Sequence, residues 1–112
     1  MEHFLAIAKE AVDEKKGLDP VILDLKGISG VTDYFIICSG RTPVQVRAIV
    51  DNILIRMKDA GYVLPPKEGY QDGHWILLDY GNLVIHVLLE TVREFYKLEN
   101  LWHDARQVAP NQ

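Results

Sequence analysis

Apolar and polar residues alternate through residues 74–89, and this alternation predicts a β-hairpin. The segment reads HWILLDYGNLVIHVLL, and Gly81 and Asn82 at its middle form a dipeptide typical of tight hairpin turns. A two-residue turn fixes the register of both strands, because each residue before the turn then faces one residue after it. The expected pairs are Tyr80–Leu83, Asp79–Val84, Leu78–Ile85, Leu77–His86 and Ile76–Val87.

The two faces of this hairpin differ in character, since side chains alternate along a strand. One face is apolar apart from one phenol and predicts a core face, formed by Ile76, Leu78, Tyr80, Leu83, Ile85 and Val87. The other face, here called the mixed hairpin face, consists of Trp75, Leu77, Asp79, Val84, His86 and Leu88. An indole, a carboxylate and an imidazole among aliphatic groups suit contact with a partner better than open water.

A helix with a clear start signal lies in the middle of the chain. Thr42 is a favourable N-cap, Pro43 suits the first helical position, and Gln45 lies three residues after the cap, which together form a capping box. An apolar stripe follows, and Gly61 is expected to end the helix.

The other elements follow from the same periodicities. We expect a helix from Phe4 that ends at Gly17, strands over 21–25 and 33–38, a surface loop over 64–73, and a last helix over 91–105 whose apolar stripe includes Phe95. The element order α-β-β-α-β-β-α indicates an α/β (α+β) fold, a four-stranded mixed sheet with helices packed on it. Residues 1–106 form the single predicted domain and residues 107–112 a flexible tail.

Composition narrows the classes of partner. The 112 residues suffice for one domain with a real core, and the net charge of −4 argues against nucleic acid and favours a basic protein surface. Cys38 is the only cysteine, so an internal disulfide is impossible and a reducing compartment is expected. No signal-peptide pattern or membrane-spanning apolar run is present, which predicts a cytoplasmic protein.

Two groups of polar residues suit an interface better than catalysis. Asp79 and His86 lie on the mixed hairpin face and could share a hydrogen bond, as in a catalytic base or a metal site. No third residue completes such a site, so an orienting or interface role is favoured. Arg93, Tyr96 and Glu99 recur three apart on the last helix and form either a solvated stripe or the rim of a contact surface.

The turn after the second strand admits a catalytic interpretation. Ser39 and Gly40 follow a strand and precede a helix, as in the phosphate-binding loops of nucleotidyltransferases. Those enzymes need two neighbouring acids for magnesium, whereas Asp33 and Asp79 are single acids. A turn that requires glycine is therefore favoured, and Cys38 is interpreted as a buried residue rather than a nucleophile.

Three blocks of the chain resemble the ribosomal silencing factor family, also called the Iojap family. They are DYFIICSGRT (33–42), GHWILLDYGNLVIHVLL (73–89) and REFYKLENLW (93–102). The chain departs mildly from the family pattern at Thr42, Asn82 and Leu88, where Ser, an acid and Phe are common. The resemblance implies a small fold related to nucleotidyltransferases but without their catalytic acids, hence no enzymatic activity and no cofactor or metal.

The same resemblance implies a function. Family members bind ribosomal protein L fourteen on the large ribosomal subunit, block joining of the small subunit and repress translation under nutrient limitation. Members are commonly homodimers when free, and organellar relatives take part in large-subunit assembly. Two alternatives stay open: a nucleotidyltransferase-like nucleotide-binding enzyme with its site near Asp33, Ser39 and Asp79, and a purely self-associating module.

The resemblance also implies contact residues on the mixed hairpin face and the helix after it. The expected contact set is Trp75, Leu77, Asp79, His86, Leu88, Arg93, Tyr96 and Glu99. Trp75 and Leu77 would be the apolar anchors, as buried aromatic residues often are. The acids Asp79 and Glu99 would meet basic groups, and His86 would hold Asp79 or donate directly. The remaining three would extend the apolar patch or line its rim.

Overall fold

One mixed sheet joins the strands of this chain in the computed structural model, which describes residues 1–28, 30, 32–97, 100 and 106–108. The helices are α1 (His3–Glu14), α2 (Pro43–Asp59) and α3 (Glu90–Tyr96). The strands are β1 (Leu18–Asp24), β2 (Tyr34–Gly40), β3 (Lys67–Glu68), β4 (Trp75–Asp79), β5 (Leu83–Leu89) and β6 (Arg106–Gln107). Their order in the sheet is β3-β4-β5-β2-β1-β6. Only β2 and β5 pair in parallel among these neighbours; the other described pairs are antiparallel.

The predicted α+β class and the order of the longer elements are confirmed, but the described residues form a sheet of six strands rather than four. The added strands β3 and β6 have two residues each, and so short a pairing leaves no periodicity in the sequence. β3 lies inside the segment expected to be a loop, where Lys67 pairs with Leu78 and Glu68 with Leu77.

The last part of the chain also differs from expectation. Helix α3 ends at Tyr96, because Lys97 adopts a left-handed conformation (φ +51°) that terminates the helix. Arg106 and Gln107 pair with β1, and the Val108 N–H donates to the Ile22 carbonyl at 2.8 Å. Gln107 and Val108, within the stretch predicted to be a flexible tail, thus bond to β1. Residues 98, 99, 101–105 and 109–112 lie outside the described residues.

The hairpin has the predicted register. The Cα pairs run from Trp75–Leu88 to Asp79–Val84, and the Tyr80 N–H donates to the Leu83 carbonyl at 2.8 Å. Gly81 takes φ +91°, a conformation that glycine adopts without steric cost.

The core lies between the sheet and the pair α1 and α2. The core face of the hairpin is confirmed, since all its aliphatic residues are buried there and Tyr80 packs against them. The N-cap of α2 also forms as predicted, with Thr42 Oγ1 accepting from the Gln45 N–H at 3.1 Å. Gln45 Oε1 accepts from the Arg41 N–H at 2.8 Å, one residue before the cap. Cys38 is buried, and burial raises the pKa of its thiol to about 12.

Gly17 is needed for a reason other than the one its position suggests. A helix-ending glycine usually takes the left-handed conformation, but here Lys16 does so, with φ +58°. A Cβ on Gly17 would instead overlap Cγ1 of Val12. The glycine therefore permits close approach of β1 to α1.

A second, smaller apolar cluster lies on the other face of the sheet. It contains Leu23, Leu25, Ile37 and Leu88, with Val92 of α3 packed against it. Helix α3 thus covers part of the face that carries the candidate contact residues. None of the described helices is long and apolar enough to cross a membrane.

Candidate functional site

Three side chains of β4 remain accessible on the sheet face opposite α1 and α2. Trp75 and Leu77 are half-buried and Asp79 is exposed, as the alternation along the strand predicts. The neighbouring strand β3 pairs with only Leu77 and Leu78, so β4 lies close to the sheet edge. These three predicted residues therefore form one accessible surface.

Trp75 is held in place by two aromatic neighbours. Its Nε1–H donates to Nδ1 of His86 at 3.1 Å, and the two ring centroids are 6.1 Å apart. On its other side, the Tyr96 ring centroid lies 5.7 Å away. The indole is therefore oriented before any partner arrives, which reduces the entropy lost on binding.

His86 lies beneath this surface and is neutral at physiological pH. The residue is only 9% exposed, and burial lowers the pKa of its imidazole to about 4. Because Nδ1 accepts the indole proton, the ring proton must be on Nε2. That buried Nε2–H has no hydrogen-bond partner among the described residues, although the Phe35 ring lies 4.8 Å from the imidazole in an edge-to-face arrangement.

The expected hydrogen bond between Asp79 and His86 does not form. Asp79 Oδ1 instead accepts from the Gly81 N–H at 2.8 Å and so stabilises the hairpin turn. The Nδ1 atom of His86 instead accepts a hydrogen bond from Trp75, which lies on the neighbouring strand of the hairpin. The Asp79 carboxylate is exposed and lies on the same strand face as Leu77, two residues away.

The lowered pKa of His86 makes stability depend on pH. The unfolded chain has the ordinary pKa of 6.5 and binds a proton between pH 6.5 and about 4, whereas the folded chain does not. Acidification from pH 7 to pH 5 should therefore lower the free energy of unfolding, by about 2 kcal/mol from this residue. Urea unfolding of the parent and of His86→Gln at pH 7 and pH 5 measures this loss of unfolding free energy. We expect a smaller loss in the variant, and equal losses would contradict the assignment.

Two predicted contact residues have structural roles within the fold. Leu88 is fully buried in the cluster beneath α3 and is not accessible to a partner. Arg93 Nη1 donates to the Asp19 carbonyl at 2.9 Å and to Ser39 Oγ at 3.1 Å, so it ties α3 to β1 and β2. The Leu88 assignment is corrected because α3 packs over this end of the sheet, whereas a rim contact by the partly exposed Arg93 stays a prediction.

Helix α3 places two aromatic residues at the surface. Tyr96, a predicted contact residue, is 59% exposed, and Phe95 is 78% exposed with its ring centroid 5.0 Å from that of Tyr96. Phe95 was not among the predicted contact residues, because its helical spacing assigned it to the apolar stripe. The sequence signal for Phe95 is its adjacency to Tyr96: two consecutive aromatic residues on a helix cannot both lie in a narrow apolar stripe. Glu99 lies outside the described residues.

Ser39 and Gly40, predicted to form a turn after a strand, are the last two residues of β2, and packing explains both. Ser39 is buried and its hydroxyl is bound to Arg93. A Cβ on Gly40 would lie 3.0 Å from Cγ2 of Val46, so glycine allows the start of α2 to approach the strand. Among the described residues, no group of three or more His, Cys, Asp or Glu side chains could hold a metal ion.

The fold defines a small α+β protein with an accessible aromatic and acidic surface on one face of its sheet, and comparisons with known proteins give its family. The family model described as "Ribosomal silencing factor during starvation" matches residues 1–112. The chain belongs to the ribosomal silencing factor family, and the predicted resemblance is confirmed.

Individual relatives support the assignment of the chain to this family. A ribosomal silencing factor of Bacillus subtilis is 42% identical over 104 residues, which are 93% of this chain and 88% of the relative. A crystal structure of a Chromobacterium violaceum protein has a TM-score of 0.86 at 34% identity, covering 91% of this chain and 87% of that one. A mouse protein named for mitochondrial assembly of the ribosomal large subunit is 36% identical over 74 residues, 63% of this chain and 32% of the relative.

Proposed function

We propose that this protein binds the large ribosomal subunit through ribosomal protein L fourteen and sterically prevents the small subunit from joining, which represses translation under nutrient limitation. The observation that carries the proposal is an accessible aromatic and acidic surface in a chain of the ribosomal silencing factor family. We call this surface the docking surface; it consists of Trp75, Leu77, Asp79, Phe95 and Tyr96.

The composition of the docking surface matches that of protein interfaces. Aromatic side chains supply large contact areas with little rotamer entropy to lose, and they are enriched among residues that dominate binding energy. Trp75 and Tyr96 are in ring contact, and Phe95 extends the same surface. Leu77 adds an aliphatic contact on the same strand face as Trp75.

Charge supports a basic partner. Asp79 presents an exposed carboxylate beside the apolar anchors, and the whole chain carries a net charge of −4. A ribosomal protein surface rich in Lys and Arg is the complementary match, and such complementarity speeds association as well as selecting the partner. The role of His86 in this proposal is to hold Trp75, rather than Asp79, in its bound orientation.

The proposed mechanism needs no covalent chemistry. A protein bound at the position where the small subunit docks excludes that subunit by volume alone. The name of the mouse relative, which concerns assembly of the large ribosomal subunit, agrees with the large subunit as the partner. A homodimeric free form, a cytoplasmic location and the relation to nucleotidyltransferases stay predictions. A nucleotide site has less support, because the Ser39 hydroxyl is buried and bound to Arg93.

Three assays test the proposal: sedimentation with purified large subunits, pull-down with isolated ribosomal protein L fourteen, and light scattering of subunit joining. We expect binding in the first two assays and slower joining in the third, with weaker binding at about 200 mM salt than at about 50 mM because charges are screened. Asp79→Asn keeps the oxygen that accepts from Gly81 and removes the charge, so it should weaken binding and flatten the salt dependence.

Asp59→Asn is the matched control, since Asp59 is an exposed acid at the end of α2 and lies outside the docking surface. It should bind as the parent does. Absence of binding to ribosomal protein L fourteen, or normal subunit joining in the presence of bound protein, would overturn the proposal.

A further inference from the structure

The short strand β3 places a further acidic side chain beside the accessible face of β4. In the antiparallel pair of these strands, Lys67 lies opposite Leu78 and Glu68 lies opposite Leu77. Residues directly opposite each other in an antiparallel pair project to the same face of the sheet. Glu68 therefore lies on the same face as Leu77, which belongs to the docking surface. Lys67 lies on the opposite face.

Contacts on the opposite face support this placement. Leu78 is fully buried in the core that lies against α1 and α2. Lys67 Nζ lies 4.4 Å from the centroid of the Tyr70 ring, and the Tyr70 hydroxyl donates to the Asp51 carboxylate of α2 at 2.8 Å. Lys67 is thus directed towards α2, so the charges of Lys67 and Glu68 project to opposite sides of the sheet.

β3 is anchored on both sides although its pairing is short. Arg47 Nη1 of α2 donates to the Gln71 carbonyl at 3.2 Å. Gly69 (φ +80°) lies so close to the Trp75 carbonyl that a Cβ at this position would overlap it. These contacts fasten the segment after β3 to α2 and to β4. The backbone of Glu68 therefore has a fixed position relative to Trp75 before a partner binds.

The carboxylate of Glu68 is available to a partner. Glu68 is exposed, and among the described residues its carboxylate has no hydrogen bond or ion pair. Diagonal neighbours in an antiparallel pair are about 7–8 Å apart, which is the expected separation of Glu68 from Asp79. Leu77 is thus flanked by one acid across the strands and by another along β4.

An accessible aliphatic side chain between two acids suits one kind of contact. Lysine and arginine side chains lay their aliphatic stems on apolar surface while the charged end remains in a polar environment. A stem that packs on Leu77 would bring its charged end to the carboxylates of Glu68 and Asp79. This arrangement agrees with the basic partner that the net charge of −4 favours.

We propose that Glu68 is a further contact residue of the docking surface and selects a long basic side chain of the partner, whose stem packs on Leu77. The proposal rests on the proposed function, and it adds a residue from a strand that has no sequence period. The role of Glu68 is electrostatic, since the aromatic residues supply most of the contact area.

Binding of full-chain variants to isolated ribosomal protein L fourteen at about 50 mM salt tests the proposal. Glu68→Gln keeps the size of the side chain and removes its charge, so binding should weaken roughly fivefold. Glu68→Lys should weaken binding roughly 30-fold or more, because like charges then meet.

Glu2→Gln is the matched control, since it makes the same change of net charge. Glu2 is also exposed, and it immediately precedes α1, which covers the other face of the sheet. This variant should bind as the parent does. Circular dichroism establishes that each variant is folded under the assay conditions.

Charge reversal in the partner tests the chemistry of the contact. Arginines and lysines of ribosomal protein L fourteen are replaced one at a time with glutamate. We expect one replacement to bind Glu68→Lys more tightly than the unmodified ribosomal protein does, because the two charges are then exchanged.

Two results would overturn this inference while the proposed function stands. One is binding of Glu68→Gln with the affinity of Glu2→Gln, and the other is the failure of every charge reversal to improve binding of Glu68→Lys. Failure of the parent chain to bind ribosomal protein L fourteen would instead overturn the proposed function, and this inference with it.

Discussion

Replacing Trp75 with alanine should lower the affinity for large ribosomal subunits roughly 30-fold or more, which corresponds to the loss of one dominant interface residue. Trp75 is the largest side chain of the docking surface and is oriented by His86 and Tyr96. The substitution removes the apolar contact area of the indole and also its ring contact with Tyr96. Co-sedimentation over a range of protein concentrations measures the change.

The control for this variant is Ile55→Ala. Ile55 is a comparably accessible apolar residue, 58% exposed on α2 and thus on the other side of the sheet. It should bind large subunits as the parent does. Circular dichroism and urea unfolding establish that Trp75→Ala is folded under the assay conditions. A folded Trp75→Ala with parental affinity would show that the docking surface is wrongly placed.

Replacing Ile85 with alanine should lower the free energy of unfolding by about 2–5 kcal/mol, the cost of emptying a large aliphatic position in a packed core. Ile85 is fully buried on β5, between Leu78 of β4 and Ile36 of β2. Both neighbours are also fully buried, and the side chains around such a cavity relax only partially. Since small domains are stable by about 5–15 kcal/mol, this loss is a large fraction of the total.

Urea unfolding with an unchanged m value measures the Ile85→Ala effect. Ile55→Ala removes the same atoms from an exposed position and should change the free energy of unfolding by less than about 0.5 kcal/mol. Equal effects of the two substitutions would mean that β5 is not the centre of the core.

The hairpin was predictable in detail because its determinants are local. Gly81 sets the turn, the two-residue loop sets the register, and alternation then assigns every side chain to a face. The start of α2 is equally local, since Thr42 and Gln45 lie within one helical turn of each other. The family was also predictable, because three contiguous blocks of sequence carry its pattern.

The strand count and the helix end were not predictable in this way. β6 forms because Arg106 and Gln107 meet β1, more than 80 positions earlier in the chain, through only two residue pairs. β3 likewise depends on the path of the chain between α2 and β4. Pairings this short carry no sequence period, so only the folded chain brings them together.

In the candidate site, too, local sequence determines some features and contacts between distant elements determine the others. Sequence alone determined that Trp75, Leu77 and Asp79 share one face of a strand, because alternation is a property of the backbone. Only the tertiary structure decided that Leu88 is covered by α3 and that Arg93 binds β1 and β2 from that helix. Periodicity groups residues into faces, but whether a face is buried depends on which distant element packs against it.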